Sequence, residues 1–199
     1  MATKPTPSDG GPIPRGSSVA ASAGLGVFAA AIGYLLTYLL IGAEVRQNLD
    51  GEFANWKGVA WYFYEAHMVD IEATGQAGSI GATGILNLIA ESNSASADVL
   101  YVLPPLVLFA VGAFLAVRWE TTDLGDAVMA GAPVTIGYAV VLGLGAVVAE
   151  ANTEASFFGI ETTRSIGPTL LPAIVLGGIL YPLVFATVGA AIATVINGR

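Results

Sequence analysis

The chemically capable residues of this chain sit close together. His67, its only histidine, follows Glu65 by two positions and precedes Asp70 by three. An imidazole flanked by carboxylates is equipped to act as a pH-responsive contact or as half of a proton path, because its charge changes near neutral pH. The same residue types serve a plainer purpose when the ring hydrogen-bonds a neighbour and anchors its segment at the headgroup level of a membrane. That is the reading we prefer. A metal site would need more ligands. There is no second His, and the lack of Cys removes disulfides, thiolate chemistry and Cys-based metal sites. His67 lies in Trp56-Lys57-Gly58-Val59-Ala60-Trp61-Tyr62-Phe63-Tyr64-Glu65-Ala66-His67-Met68-Val69-Asp70, five of whose residues are Trp, Tyr or Phe. Such rings favour a membrane interface, where an apolar body buries and a polar edge stays wet. Trp56, Trp61, Tyr64, Glu65 and His67 are therefore the candidate interaction residues. The chain has no phosphate-binding GxxxxGK[ST] loop, no nucleophile elbow, and no HExxH or EF-hand pattern. No catalytic, cofactor-binding or metal-binding residue is assigned, and the expectation is a protein that is not an enzyme.

The elements that must position this segment follow from the distribution of charge. Of 199 residues, 55% are hydrophobic and 11% charged, with a mean hydropathy of +0.73; soluble domains carry about 25% charged residues. The deficit is concentrated in four uncharged stretches, and a helix needs about 20 apolar residues to cross the hydrocarbon. These predict an all-α, polytopic transmembrane helix bundle with spans at about 19–43, 99–117, 127–149 and 170–196. Residues 1–17, rich in Pro, Gly, Ser and Thr, read as a disordered tail ahead of a membrane domain over 18–199. Pro104-Pro105 mark the start of the second span and Pro133 an early turn of the third. Pro182, with Gly177-Gly178 upstream, falls inside the fourth and should kink it, so these three are the candidate helix hinge. Gly26/Ala30, Gly112/Ala116, Gly145/Ala149 and Gly189/Ala193 place small residues four apart on helix faces. Ordinary packing within the bundle is preferred for them over an oligomer interface.

Residues 44–98 read as a loop outside the bilayer that carries the aromatic element. Within it, 73–90 is uncharged but holds Gly75, Gly78, Gly81 and Gly84, which makes a poor lipid-facing helix. An extracellular or partly inserted element is preferred there, with a fifth span as the alternative. Four spans put both termini on one side, and the thin Lys/Arg asymmetry places them in the cytoplasm. Of the 15 carboxylates, eleven then fall on the far side. A net charge of −8 with only two Lys suits very high salt, where screening weakens repulsion among carboxylates. The same balance excludes a nucleic-acid footprint and a polybasic lipid-binding patch.

The segment Trp56 to His67, placed after one hydrophobic stretch and before three, resembles a haloarchaeal family of small, uncharacterised multi-pass membrane proteins. The chain departs from the pattern at Glu65, where that family often carries an amide. The resemblance implies a plasma-membrane location and supplies no activity, substrate, cofactor or catalytic residue. Two functions are expected from the sequence. The first is a structural or accessory membrane subunit whose loop meets a membrane-protein partner or a second copy. The alternative is a small permease or channel-like transporter with a path lined by the fourth helix. Thr37, Tyr138, Tyr181 and their like supply the only polar atoms within the spans, which counts against proton coupling.

Overall fold

An uncharged run of Ala, Leu, Val and Gly has a strong reason to coil, because a helix satisfies its own N–H and C=O groups where water cannot reach. In the computed structural model, which describes residues 15–48, 53–92, 94–157 and 160–197, four such runs do so. Side chains are described within these ranges except at 15–17, 157 and 160. Most of the expected N-terminal tail lies outside the described residues. Its last three positions, from Arg15, already belong to α1 (Arg15–Asn48).

The second helical run joins a short helix α4 (Ala95–Asp98), a 3-10 turn (Val99–Val102) and α5 (Leu103–Arg118), with Pro104 and Pro105 in the first turn of α5. The third is α6 (Leu124–Gly131) followed by α7 (Val134–Ala149). Pro133 separates the two, and the N–H groups of Thr135 and Ile136 reach back only three residues. The fourth begins with α8 (Leu170–Pro172), widens into a π-helical stretch (Ala173–Leu180) and ends as α9 (Tyr181–Asn197). Tyr181 donates its N–H to the Leu176 carbonyl, five residues back, just before Pro182. A proline cannot supply the usual bond four residues back, and a wider turn leaves room for its ring. Ser18–Asn48, Ala95–Arg118, Leu124–Ala149 and Leu170–Asn197 are each long and apolar enough to cross a membrane. The shortest, 24 residues, reaches about 36 Å against a hydrocarbon core of about 30 Å.

The bundle is small inside and large outside. Ala29, Ala30, Ala116, Ala130, Ala146, Ala173, Ala186 and Ala190 are buried, while Phe28 (65% exposed), Leu39 (71%), Leu144 and Leu171 point outward. Water would favour the reverse; hydrocarbon does not distinguish an outward Leu from an inward one, so association falls to close backbone packing. Glycines provide it. A Cβ on Gly112 would collide with the Ala186 carbonyl, and one on Gly189 with that of Phe109, which brings α5 and α9 into backbone contact. Gly26 meets Val134 and Gly137 meets Ala23 in the same way between α1 and α7. The small-residue faces at Gly26, Gly112 and Gly189 thus pack within the bundle. Thr121 and Thr194 share a hydroxyl contact, and Ser22 donates to the Ala130 carbonyl at 2.9 Å, tying together the end where α1 begins and α9 finishes.

At the other end stands a sheet, which corrects the all-α expectation. β1 (Ile71–Ala77), β2 (Ile80–Leu86), β3 (Ala151–Phe157) and β4 (Ile160–Pro168) form one antiparallel sheet in the order β2-β1-β4-β3. The alternative of a fifth span over 73–90 is corrected with it, since most of that stretch is the β1–β2 hairpin. Glycine at every third position disfavours a helix, while the pair Gly78-Ser79 closes a two-residue turn. Gly78 has φ 59°, the left-handed value that a type II′ turn requires at its first central residue. The β3–β4 hairpin is a second sizeable segment beyond the helix ends, besides 44–98. One face of the sheet carries Thr83, Thr74, Ser165 and Asn152 in a row across all four strands; the other carries Ile71, Ala73, Leu86, Ile166 and Ala151 near the helices. The sheet's base is buried, and its outer half is exposed on both faces, with Ile80 at 77%.

Candidate functional site

Between α1 and β1 the aromatic segment forms a helix, α2 (Asn55–Glu65), buried from Gly58 to its end. It descends alongside α7 by a ladder of polar tips. Lys57 donates its ammonium to the Glu150 carbonyl, Trp61 its Nε1–H to the Ala149 carbonyl at 3.0 Å, and Tyr64 its hydroxyl to the Leu142 carbonyl at 2.6 Å. His67 then reaches the Tyr138 hydroxyl at 2.7 Å. Lys57, Trp61 and Tyr64 are spaced four and three apart, so they share one helix face, and His67 continues their line just past the helix end. Gly145 makes room for the third contact: a Cβ there would lie 2.6 Å from the Tyr64 hydroxyl oxygen. The Glu150 and Ala149 carbonyls belong to the helix end, where no residue of α7 can bond them.

The segment stops inside the bundle. Tyr138 stands eleven positions below Ala149, about 16 Å along the helix. Val69 donates its N–H to Tyr64 and Met68 donates to Glu65, a Schellman closure with Met68 in the left-handed region at φ 58°. The chain then climbs back to Asp70, whose carbonyl accepts both the N–H and the hydroxyl of Thr169. α2 is thus a half-helix, inserted from the sheet end and returned by a tight turn.

The chemistry at its tip is closed. His67 Nδ1 lies 2.7 Å from the Phe63 carbonyl, which can only accept, so Nδ1 carries the proton. Nε2 is left as acceptor for the Tyr138 O–H. Both ring nitrogens are used and the ring is fully buried, against Phe63 at 4.6 Å and Tyr181 at 5.2 Å between ring centres. Of the candidate hinge residues, Gly177 meets this tip and Gly178 meets α7. A Cβ on Gly177 would lie 2.6 Å from a Leu142 methyl and 3.4 Å from the His67 Cβ, and one on Gly178 would lie 2.8 Å from the Ala139 backbone. Gly177, Gly178 and Pro182 are all buried.

Of the five candidate interaction residues, only Trp56 faces outward, at 41% exposure, with the Lys57 ammonium 5.5 Å from its ring centre. Trp61, Tyr64, Glu65 and His67 are buried, so the aromatic element is packed against the bundle. The polar tips find acceptors on α7 and the rings follow them inward. Glu65 turns the other way and accepts the Ile89 N–H at 3.1 Å, in the short helix α3 (Leu88–Glu91). Burial raises its pKa above the ordinary carboxylate range; the Ile89 and Leu88 N–H groups work against that, and Glu91 and Asp70 add to it.

On the outer side of α2, a cavity of about 310 Å³ opens between Val45 and Asn48 of α1, the sheet base at Leu86, Arg164 and Ile166, and α3. Phe53 and Trp61 meet edge to face at its floor, 5.6 Å apart, and Tyr62 forms one wall. Burial, and then the carboxylates of Glu44, Glu65 and Glu91, push the Tyr62 phenol up to about 12. Sequence reasoning missed Phe53, Tyr62, Glu91 and Arg164, which come from segments far apart with no shared motif. Among the described residues, no group of three His, Cys, Asp or Glu is placed to hold a metal ion.

No curated protein and no solved structure matches the chain. The sequence profile of one family, DUF7978, matches residues 1–197. The chain therefore belongs to DUF7978, a family of unknown function.

Proposed function

We propose that this protein is a structural or accessory subunit of a membrane, held by four spans, whose exposed sheet meets a partner protein or a second copy of the chain. The observation that carries this reading is the sheet itself. Its outer half stands clear of the helices, both outer strands leave one edge unpaired, and Ala77, Ile80 and Ala82 form an apolar strip on one face. Open strand edges invite pairing, and a protein that must stay monomeric usually blunts them. The bundle supports the same reading from the other side. Gly177 and Gly178, expected with Pro182 to line a path in a permease, are packed against Leu142, His67 and Ala139, and Pro182 is buried.

The acidic excess, with only two Lys, supports a high-salt setting such as the plasma membrane of a haloarchaeal cell, with the termini in the cytoplasm and the sheet outside. Gentle detergent extraction followed by affinity purification tests the function. A partner, or a second copy in a sized complex, should be recovered with the wild type and lost with Ile80→Lys, which alters an exposed residue only. Recovery unaffected by that change would remove the sheet as the docking surface. Solute or ion flux through liposomes holding the purified protein alone would favour the permease instead.

A further inference from the structure

We infer that copies of this chain join head to tail in the plane of the membrane, β2 of one pairing antiparallel with β3 of the next. The inference rests on the reading of the sheet as a meeting surface and names the occupant of its edges as a second copy. Among the described residues, β2 and β3 each leave one edge unpaired. β2 is exposed from Ile80 to Ile85 and lacks the usual edge protection. It has no charge and no proline, and it pairs with β1 through seven residues without a bulge. Its outward bonding groups can be assigned. The two-residue turn at Gly78-Ser79 makes Ala77 and Ile80 a bonded pair, so Gly81, Thr83 and Ile85 aim their N–H and C=O groups away from β1. β3 is the counterpart, seven residues long, exposed from Asn152 to Ser156 and carrying one carboxylate, Glu154.

Strand direction selects which edges meet. β3 begins two residues after α7 ends, and β4 ends two residues before α8 begins, so the strands lead away from the ends of the spans. β3 runs outward and β2 runs back. Two copies standing the same way up in one membrane therefore present β2 and β3 to each other as antiparallel neighbours. Like edges do not meet in this way. An antiparallel pair of two β2 strands needs a two-fold axis perpendicular to the sheet; that axis lies in the membrane plane and turns one copy upside down. The same holds for two β3 strands, which in full overlap would also set Glu154 against Glu154, a repulsive pair. The widths agree as well. The spans close a cycle of contacts, α1 to α7, α7 to the π-helical stretch, α9 to α5 and α5 to α1. Two helices side by side are about 20 Å across and four strands about 19 Å, so neighbouring bundles in contact bring their sheets within bonding reach. A contact between unlike edges leaves one of each free, so it repeats from copy to copy until it closes.

The test uses the full chain, which has no Cys of its own. Cross-linking is carried out in membranes before extraction, because excess detergent disperses a contact between copies. Ala82→Cys and Thr153→Cys change exposed residues of β2 and β3 that share one row across the sheet. Within one copy they stand three strand spacings apart, about 14 Å. A bismaleimide shorter than that joins them only between copies, and its length tolerates a slip in register. The double variant should give covalent dimers or a ladder of larger species on a denaturing gel, and each single variant should stay monomeric. Added to the double variant, Thr83→Pro removes an outward donor and leaves the β1–β2 bonds intact. It should cut the cross-linked fraction by about tenfold or more, whereas Thr83→Val should keep it. An unchanged unfolding midpoint checks that the proline variant folds. A single variant that cross-links to itself would show like edges meeting and overturn the inference. So would a double variant that stays monomeric, or cross-linking indifferent to Thr83→Pro. A different protein recovered on the sheet, with no bond between copies, would overturn the head-to-tail contact and leave the accessory-subunit reading standing; recovery of neither would remove both.

Discussion

Met68 and Glu120 show how single residues hold this chain's turns. Each sits in the left-handed region, at φ 58° and 50°, where a side chain costs about 1–2 kcal/mol. Met68 closes α2 and Glu120 closes α5, by the same pair of backbone bonds. Met68→Gly removes that strain and adds about 0.5–1 kcal/mol of unfolded-chain entropy to be lost. The expected net gain is about 0.5–1 kcal/mol, read as a higher unfolding midpoint in detergent; a lower midpoint would show that the Met68 side chain contributes more than its strain costs. Glu65 makes a pH prediction. Its pKa is raised in the fold, chiefly by burial, so the folded state holds the proton more tightly than the unfolded chain. Its contribution to stability is then complete below the unfolded carboxylate pKa and is lost as pH rises through the folded value. Glu65→Gln can still accept the Ile89 N–H and carries no charge. The variant should match or exceed the wild type at neutral pH, and the gap should close on acidification. A gap that widens towards acid would contradict the raised pKa.

At the scale of elements, two devices set the architecture: glycine contacts between helices and a polar ladder between α2 and α7. Gly112 and Gly24 are both helical glycines, yet one touches the Ala186 backbone and the other has nothing within 4 Å of where a Cβ would stand. Gly112→Ala should cost about 1–3 kcal/mol, the usual penalty for overpacking, or more because the obstacle is backbone. Gly24→Ala should be neutral or stabilising by up to about 1 kcal/mol, since alanine is the better helix former. Equal effects in paired unfolding titrations would show that α5 and α9 do not rely on this contact. The ladder was partly legible in advance. Lys57, Trp61, Tyr64 and His67 fall at successive spacings of four, three and three, each with a donor or a ring nitrogen at its tip. The sequence could not show what lay opposite, because the partners, the carbonyls of Glu150, Ala149 and Leu142 and the hydroxyl of Tyr138, lie 71 to 93 residues away. The sheet had a clearer signal in Gly78-Ser79 between two segments that each contain Ala-Thr-Gly. The glycines obscured it by suggesting a smooth helix face instead.

For the molecule as a whole, protection from solvent should not follow the order of spans and loops. Residues 58–67 belong to no span but are enclosed by α1, α7 and the π-helical stretch, whereas β2 lies at an open sheet edge. Hydrogen exchange in detergent should therefore leave α2 as slow as α7 and β2 much faster, because exchange reports local opening. An α2 that exchanges as fast as β2 would mean that the half-helix is not held inside. The four helices were written in the sequence by itself, because an apolar run of sufficient length can satisfy its backbone only by coiling, whatever its neighbours do. So were the proline breaks, since a missing N–H is a local fact. Which faces meet, where the aromatic helix goes and whether glycine-rich hairpins join into one sheet depended on partners distant in the chain. Only the tertiary structure decided these, because a carbonyl at Leu142 or a strand at β4 has no local signature at Tyr64 or β1.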